Sequence, residues 1–272
     1  MSEQSEAKQT DECKIVKTLV LKEVMIWKVK KQLELKQKVV VADSSVVRSI
    51  LSLNNNQTYY IAGVDISFVK NNNVDACAAL VILSYQELKV VYKRLEMIKM
   101  TAPYVPGFLA FREVEPILHL YNTMLQNAAQ YKPDVILVDG NGQLHPREFG
   151  LACHLGVLLD MPCIGVAKTL IHVEGVEDIV THKERKSHLE KRGSVLELKT
   201  DSGRTLGLAL RSTDSSKNPI YISVGHNISL ESAITIVMQC CKYRIPEPVR
   251  LADICSREYL LQKKVDPEEF ID

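Results

Sequence analysis

Apolar and polar positions along this chain repeat with two periods, and each change of period marks a new element. Over 15–38, Val20, Val24 and Trp27 recur at helical spacing, and Lys22, Lys28, Lys30, Lys31, Lys36 and Lys38 fill the other faces. This pattern predicts an amphipathic helix. Three strands are predicted over 58–69, 76–84 and 88–98, separated by Asn71-Asn72-Asn73 and Tyr85-Gln86-Glu87. Connections this short join antiparallel neighbours only. Over 112–130 the period is helical again, with Val114, Ile117, Leu118, Tyr121, Leu125 and Ala128 in one stripe. Strand 134–139, a helix near 147–159 and strand 162–166 then form a β-α-β unit, the mark of a parallel region. Residues 172–192 are charged and weakly patterned, which suits a surface insertion or a short helix. Segments 195–200, 205–211 and 219–224 alternate as short strands. A helix with Ser229 as N-cap is expected to run to about Arg244. The tail from Ile245, with Pro246 and Pro248, is expected to hold a short helical run. Residues 1–14 are polar and expected to be a disordered tail, and 15–272 a single domain.

Composition narrows the class. The 272 residues are 46% hydrophobic and 25% charged, enough apolar material for one sizeable core. The formal charge is +1, so any nucleic-acid surface must be local. Seven cysteines without a C-x-x-C pair argue against a zinc knuckle; Cys77 and Cys163 read as small buried side chains in a reducing compartment, and Cys240-Cys241 as core packing on a helical face. No apolar run is long enough to span a membrane, and the first residues do not form a signal peptide. Cytoplasmic residence is expected, with nuclear or nucleolar residence also compatible, and a monomer is the default.

Two carboxylates break apolar strands. Asp65 sits inside Tyr59–Phe68, and Asp139 ends Val135-Ile136-Leu137-Val138. A lone carboxylate in such a strand costs several kcal/mol unless something pairs with it. Two aimed at one spot can share a divalent cation. Strict alternation puts Gly63, Asp65 and Ser67 on one face of the first strand, where small neighbours leave room. Glu113 opens the long helix and can project over the strand ends, whereas Glu115 is turned about 200° away. Taken alone, Glu113 is an ordinary first-turn acid.

The loop before that helix carries Pro103-Tyr104-Val105-Pro106-Gly107-Phe108-Leu109. Its prolines stiffen it, so Tyr104 can act as a wedge in a base stack or simply pack on the core. Gly140-Asn141-Gly142 is expected to leave backbone amides free beside Asp139, with His145-Pro146-Arg147 following. Lys168 ends a strand, where it can steady a phosphate or stay in solvent. His226 ends another, where it can shuttle protons or serve structure.

Taken together, V-D-I-S-F at 64–68, P-Y-V-P-G-F-L-A-F-R-E at 103–113 and V-D-G-N-G-Q-L-H-P-R-E-F-G at 138–150 resemble the endonuclease V family. So do I-G-V-A-K at 164–168, S-V-G-H at 223–226 and R-I-P-E-P-V-R-L-A at 244–252. The resemblance implies an α/β ribonuclease H-like fold, a central mixed β-sheet flanked by helices. It also implies Mg2+-dependent cleavage, with Mn2+ as a substitute, at the second phosphodiester 3′ to inosine. By the same resemblance Asp65, Glu113 and Asp139 are metal ligands, and Lys168 and His226 belong to the active site. Tyr104 becomes the wedge, and Pro106, Gly107, Leu109, Gly140, Gly142 and His145 line the base pocket. Ser229 stands where bacterial members usually carry an aspartate. With the basic 182–192 segment and Cys240-Cys241 it points to the animal branch. The expected partner is inosine-containing RNA, with weaker action on deoxyinosine DNA. A deoxyinosine-directed repair nuclease and a catalytically silent inosine-RNA binding module are the alternatives.

Overall fold

The computed structural model describes residues 23–52, 57–102, 105, 107–176 and 179–265. The tail expected over 1–14 lies outside them. Eight strands form one sheet in the order β3-β2-β1-β4-β5-β8-β7-β6. The strands are β1 (Tyr60–Phe68), β2 (Asp75–Ser84), β3 (Val90–Lys99), β4 (Val135–Asp139), β5 (Cys163–Ala167), β6 (Val195–Lys199), β7 (Thr205–Leu210) and β8 (Ile220–His226). β1, β2 and β3 form the expected antiparallel meander. β4 lies parallel to β1 and to β5, while β8 runs antiparallel to β5. This mixed sheet with helices on both faces is the ribonuclease H-like layout.

The strand sequences explain the layering. Ala62, Val64, Ala78, Leu80 and Ile82 face one side and pack with Ile136 and Val138 against α3 (Ala110–Ala128) and α4 (Leu151–Leu159). Ile61, Val81, Leu83, Leu137 and Val166 face the other side. There they meet α2 (Ser45–Leu51), α6 (Leu230–Gln239) and α7 (Glu247–Val265). Period-2 alternation sends each set to its own layer. The described part of α1 (23–36) lies outside the α4 layer, with Leu35 against Phe149 and Cys153. The charged segment contains one short helix, α5 (Ile179–Ser187).

Three expectations need correction. Ser229 does cap α6 and accepts from the Ser232 amide at 3.1 Å, but the helix stops at Gln239 rather than near Arg244. The Arg244 carbonyl accepts from Ser212 Oγ at 2.6 Å, and the Glu247 amide bonds back to the Cys240 carbonyl at 2.8 Å. Residues 240–246 therefore turn the chain into α7. That last helix is long, 19 residues, because Pro246 and Pro248 start it instead of breaking it: proline is tolerated in a first turn, where amides lack helical partners anyway. The room expected beside Gly63 is filled. A Cβ there would lie 2.0 Å from the Pro248 carbonyl oxygen, so glycine lets α7 rest directly on β1.

Candidate active site

Four carboxylates and one ammonium group gather at the edge of the sheet where β4 and β5 end. Asp65 faces α7 from β1. Ser67 Oγ and Ser256 Oγ each lie 3.0 Å from its Oδ2, and its Oδ1 accepts no hydrogen bond among the described residues. Burial pushes the Asp65 carboxyl up to about 6, and the negative charges of Asp139 and Asp253 add to the effect. Glu113 is 8% exposed in the first turn of α3. Burial first, then the charge of Asp65, raises it to about 8. Glu115, the rival, is exposed.

Lys168 follows β5, and its Nζ lies 2.6 Å from Asp139 Oδ2 and 3.2 Å from Asp253 Oδ2. Although burial opposes it, the two carboxylates hold this ammonium above its usual range. Asp253 was missed by the sequence reading, and so was its neighbour Ser256. Both lie on the sheet-facing stripe of α7 with buried Val249, Ala252 and Leu260. That 3–4 spacing was the available signal.

The structure does not bring His226 to this cluster. β8 is antiparallel to β5, so its C-terminal end lies at the opposite edge. His226 pairs with Cys163 and Asp139 with Val166, three residues apart along β5, about 10 Å. His226 Nδ1 accepts from the Val40 amide at 3.2 Å, and Nε2 lies 3.3 Å from Asp160 Oδ1. Its role here is structural, joining the chain before α2 to the end of α4.

The D-G-N-G loop also differs from expectation. Its two glycine amides are occupied: Gly140 donates to the Val166 carbonyl at 3.3 Å and Gly142 to Ser223 Oγ at 2.9 Å. Gly142 is buried, and a Cβ on it would sit 2.1 Å from the Val224 carbonyl oxygen. It serves close packing rather than a ligand.

Gly107, Leu109, Gly140 and His145 do meet. With Asn141 and Leu151 they line a cavity of about 80 Å³. Burial and then the Arg147 charge take His145 down to about 4, so it is a neutral ring at neutral pH. Asn141 Oδ1 is buried with no hydrogen-bond partner. Tyr104 and Pro106 lie outside the described residues. The adjoining Gly107 is held tightly: its carbonyl accepts from Gln32 Nε2 at 3.1 Å and from Arg147 Nη2. Gln32, 1% exposed, also donates to the Phe149 carbonyl at 3.0 Å and accepts from Arg147 Nε. A helix more than seventy residues away thus ties the proline loop to the segment after β4.

A ribonuclease H-like sheet with carboxylates on the adjoining strands β1 and β4, joined by acids from α3 and α7 and with a lysine between Asp139 and Asp253, makes the site of a nuclease, a phosphodiester hydrolase. A family model described as Endonuclease V matches residues 28–254. Human Endonuclease V is 52% identical over 235 residues, 86% of this chain and 82% of that protein. The crystal structure of human ENDOV has a TM-score of 0.83 and 49% identity, covering 88% of this chain and 99% of that one. Endonuclease V from Ciona intestinalis, solved with a 24mer DNA containing an inosine followed by a ribo-adenosine, has a TM-score of 0.80 and 35% identity. That match covers 90% of this chain and all of the other. The chain belongs to the Endonuclease V family, and its relatives place it with the animal members.

Proposed function

We propose that this nuclease cleaves inosine-containing RNA at the second phosphodiester 3′ to inosine, with weaker action on deoxyinosine DNA, and that Mg2+ supports the reaction. The observation that carries this reading is the convergence of Asp65, Glu113, Asp139, Asp253 and Lys168 beside the Gly107–His145 pocket. The Ciona complex, in which a ribose follows the inosine, supports a substrate with a 2′-hydroxyl on the 3′ side.

The donor set fits a hard divalent cation: all oxygen, four carboxylates against the Lys168 ammonium and the Arg257 guanidinium, which lies 2.8 Å from Asp253 Oδ1. Among the described residues no three acids form a closed ligand cage, and Lys168 supplies the nearest positive charge. Asp65, Asp139, Asp253 and Glu113 are the residues that would hold Mg2+ or Mn2+. A cation there supplies charge stabilisation at the phosphate and a nucleophile at neutral pH. The two serines on Asp65 Oδ2 leave Oδ1 for that task. Lys168 places a fixed positive charge beside Asp139, where the scissile phosphate must lie.

End-labelled inosine RNA, incubated with Mg2+ or with chelator, tests the reading. A displaced cut that needs the metal is expected, and equal cutting in chelator overturns it. Tyr104→Ala is expected to weaken strand binding by about 1–3 kcal/mol, the worth of one base–aromatic stack. Tyr121→Phe removes only a contact from a buried hydroxyl to Met161 Sδ at 2.9 Å and is expected to leave binding nearly unchanged. Equal losses in a titration of the two variants would make Tyr104 a packing residue.

A further inference from the structure

We propose that a cleft beyond Lys168 binds the first phosphodiester 3′ to the cut in the strand being cleaved. This rests on the strand-cleaving function above and adds the place where the leaving strand is held. A cavity of about 370 Å³ opens between the end of β5, α5 and the turn before β8. Lys168, Lys186 and Arg244 line it, with Asn218, Pro219 and Tyr221, and no carboxylate does.

Arg244 is held in place by neutral groups. Its Nη2 donates to the Lys168 carbonyl at 2.6 Å and the Pro219 carbonyl at 3.0 Å, and its Nε to the Asn218 carbonyl at 3.1 Å. Lys186 Nζ lies 3.4 Å from Asn218 Oδ1. Neither cation has a carboxylate partner among the described residues. A partly desolvated cation without a counter-charge favours an anion. The planar guanidinium and flexible ammonium together suit a phosphate.

The position of the cleft selects a backbone phosphate of the substrate. Along the sheet edge the order is Asp65 on β1, Asp139 on β4, Lys168 after β5, then the cleft between β5 and β8. Lys168 belongs to both regions: its ammonium meets the acids, and its carbonyl holds Arg244 at the cleft. The segment after β5 divides the two cavities, with Ile171 on the base pocket and Lys168–Leu170 on the cleft. A strand whose base occupies the first cavity passes the acids and then meets the cleft. With inosine on the 5′ side of the cut, the cleft receives the 3′ side.

The test uses single-stranded RNA with one inosine, in which the first linkage 3′ to the scissile one is a methylphosphonate, similar in size and uncharged. The matched strand keeps the phosphodiester, and both carry a 2′-deoxy sugar at that nucleotide. For the unsubstituted protein the neutral linkage is expected to lower kcat/KM about tenfold, mostly through KM, the loss of one charge-assisted hydrogen bond. Lys186→Ala should show a similar loss on the charged strand and little further loss on the neutral one. Its salt dependence should flatten by about 0.7 in log–log slope. Arg244→Lys, which keeps the charge, should retain sensitivity to the neutral linkage. If the neutral linkage costs the unsubstituted protein nothing while inosine strands are cut and adenosine strands are spared, the subsite alone fails. If the two losses multiply independently, it also fails. Absence of inosine-dependent cutting brings down the proposed function and the subsite with it.

Discussion

Asp65→Ala or Asp139→Ala is expected to slow single-turnover cleavage of an inosine strand by about a thousandfold or more, with the chain still folded. A divalent cation contributes several kcal/mol to such a reaction, and either change removes part of its oxygen shell. Melting curves accompany the kinetics, because the charge cluster opposes folding at neutral pH when no metal is bound. The folded Asp65 carboxyl titrates at about 6, above its ordinary 3.8. Between those values the folded state binds more protons than the unfolded chain, so metal-free stability falls as pH rises from about 4 through 6. Asp65→Asn keeps an acceptor for Ser67 and Ser256 and removes the charge. In chelator at pH 7 it should be more stable than the unsubstituted protein by roughly 3 kcal/mol, and the pH dependence over that window should shrink. Near-normal turnover in either alanine variant would sink the metal mechanism.

Matched strands carrying inosine, adenosine or guanosine at one position are expected to be cut at rates differing by about 10⁴ or more. Hypoxanthine has a 6-carbonyl where adenine has an amino group, and it lacks the 2-amino group of guanine. The cavity beside Gly107, Gly140 and His145 is small and walled by backbone held in place; Asn141 lines it, and the buried Oδ1 of that residue has no hydrogen-bond partner. Hypoxanthine offers an N1–H to such an acceptor, adenine a bare nitrogen. A base that leaves buried polar groups unpaired is rejected far more strongly than one that merely fits poorly. Equal cutting of all three under Mg2+ would remove the pocket assignment and leave a general nuclease.

Strand acids were legible because the anomaly is local: Asp65 and Asp139 each interrupt an apolar run. The meander was legible for a similar reason, since two turns of a few residues permit one geometry. Strand direction is different. Nothing within Ile220–His226 states that it runs against Cys163–Ala167, and His226 was placed at the wrong edge on that account. The fourth acid escaped because a carboxylate on an exposed-looking helix raises no alarm. Only when Val249, Ala252, Ser256 and Leu260 are seen as one buried stripe does Asp253 stand out within it. The occupied amides of Gly140 and Gly142 depend on partners in β5 and β8, which no local pattern reveals.

The dependence of the acid cluster on α7 has a consequence for the chain as it is made. Ser256 reaches Asp65 across 191 residues, and Asp253 and Ser256 both belong to the last helix. Until that helix has left the ribosome and settled over Gly63, a growing polypeptide holds three of the four acids and lacks the cover on β1. A product truncated before Asp253 is therefore born without the complete site.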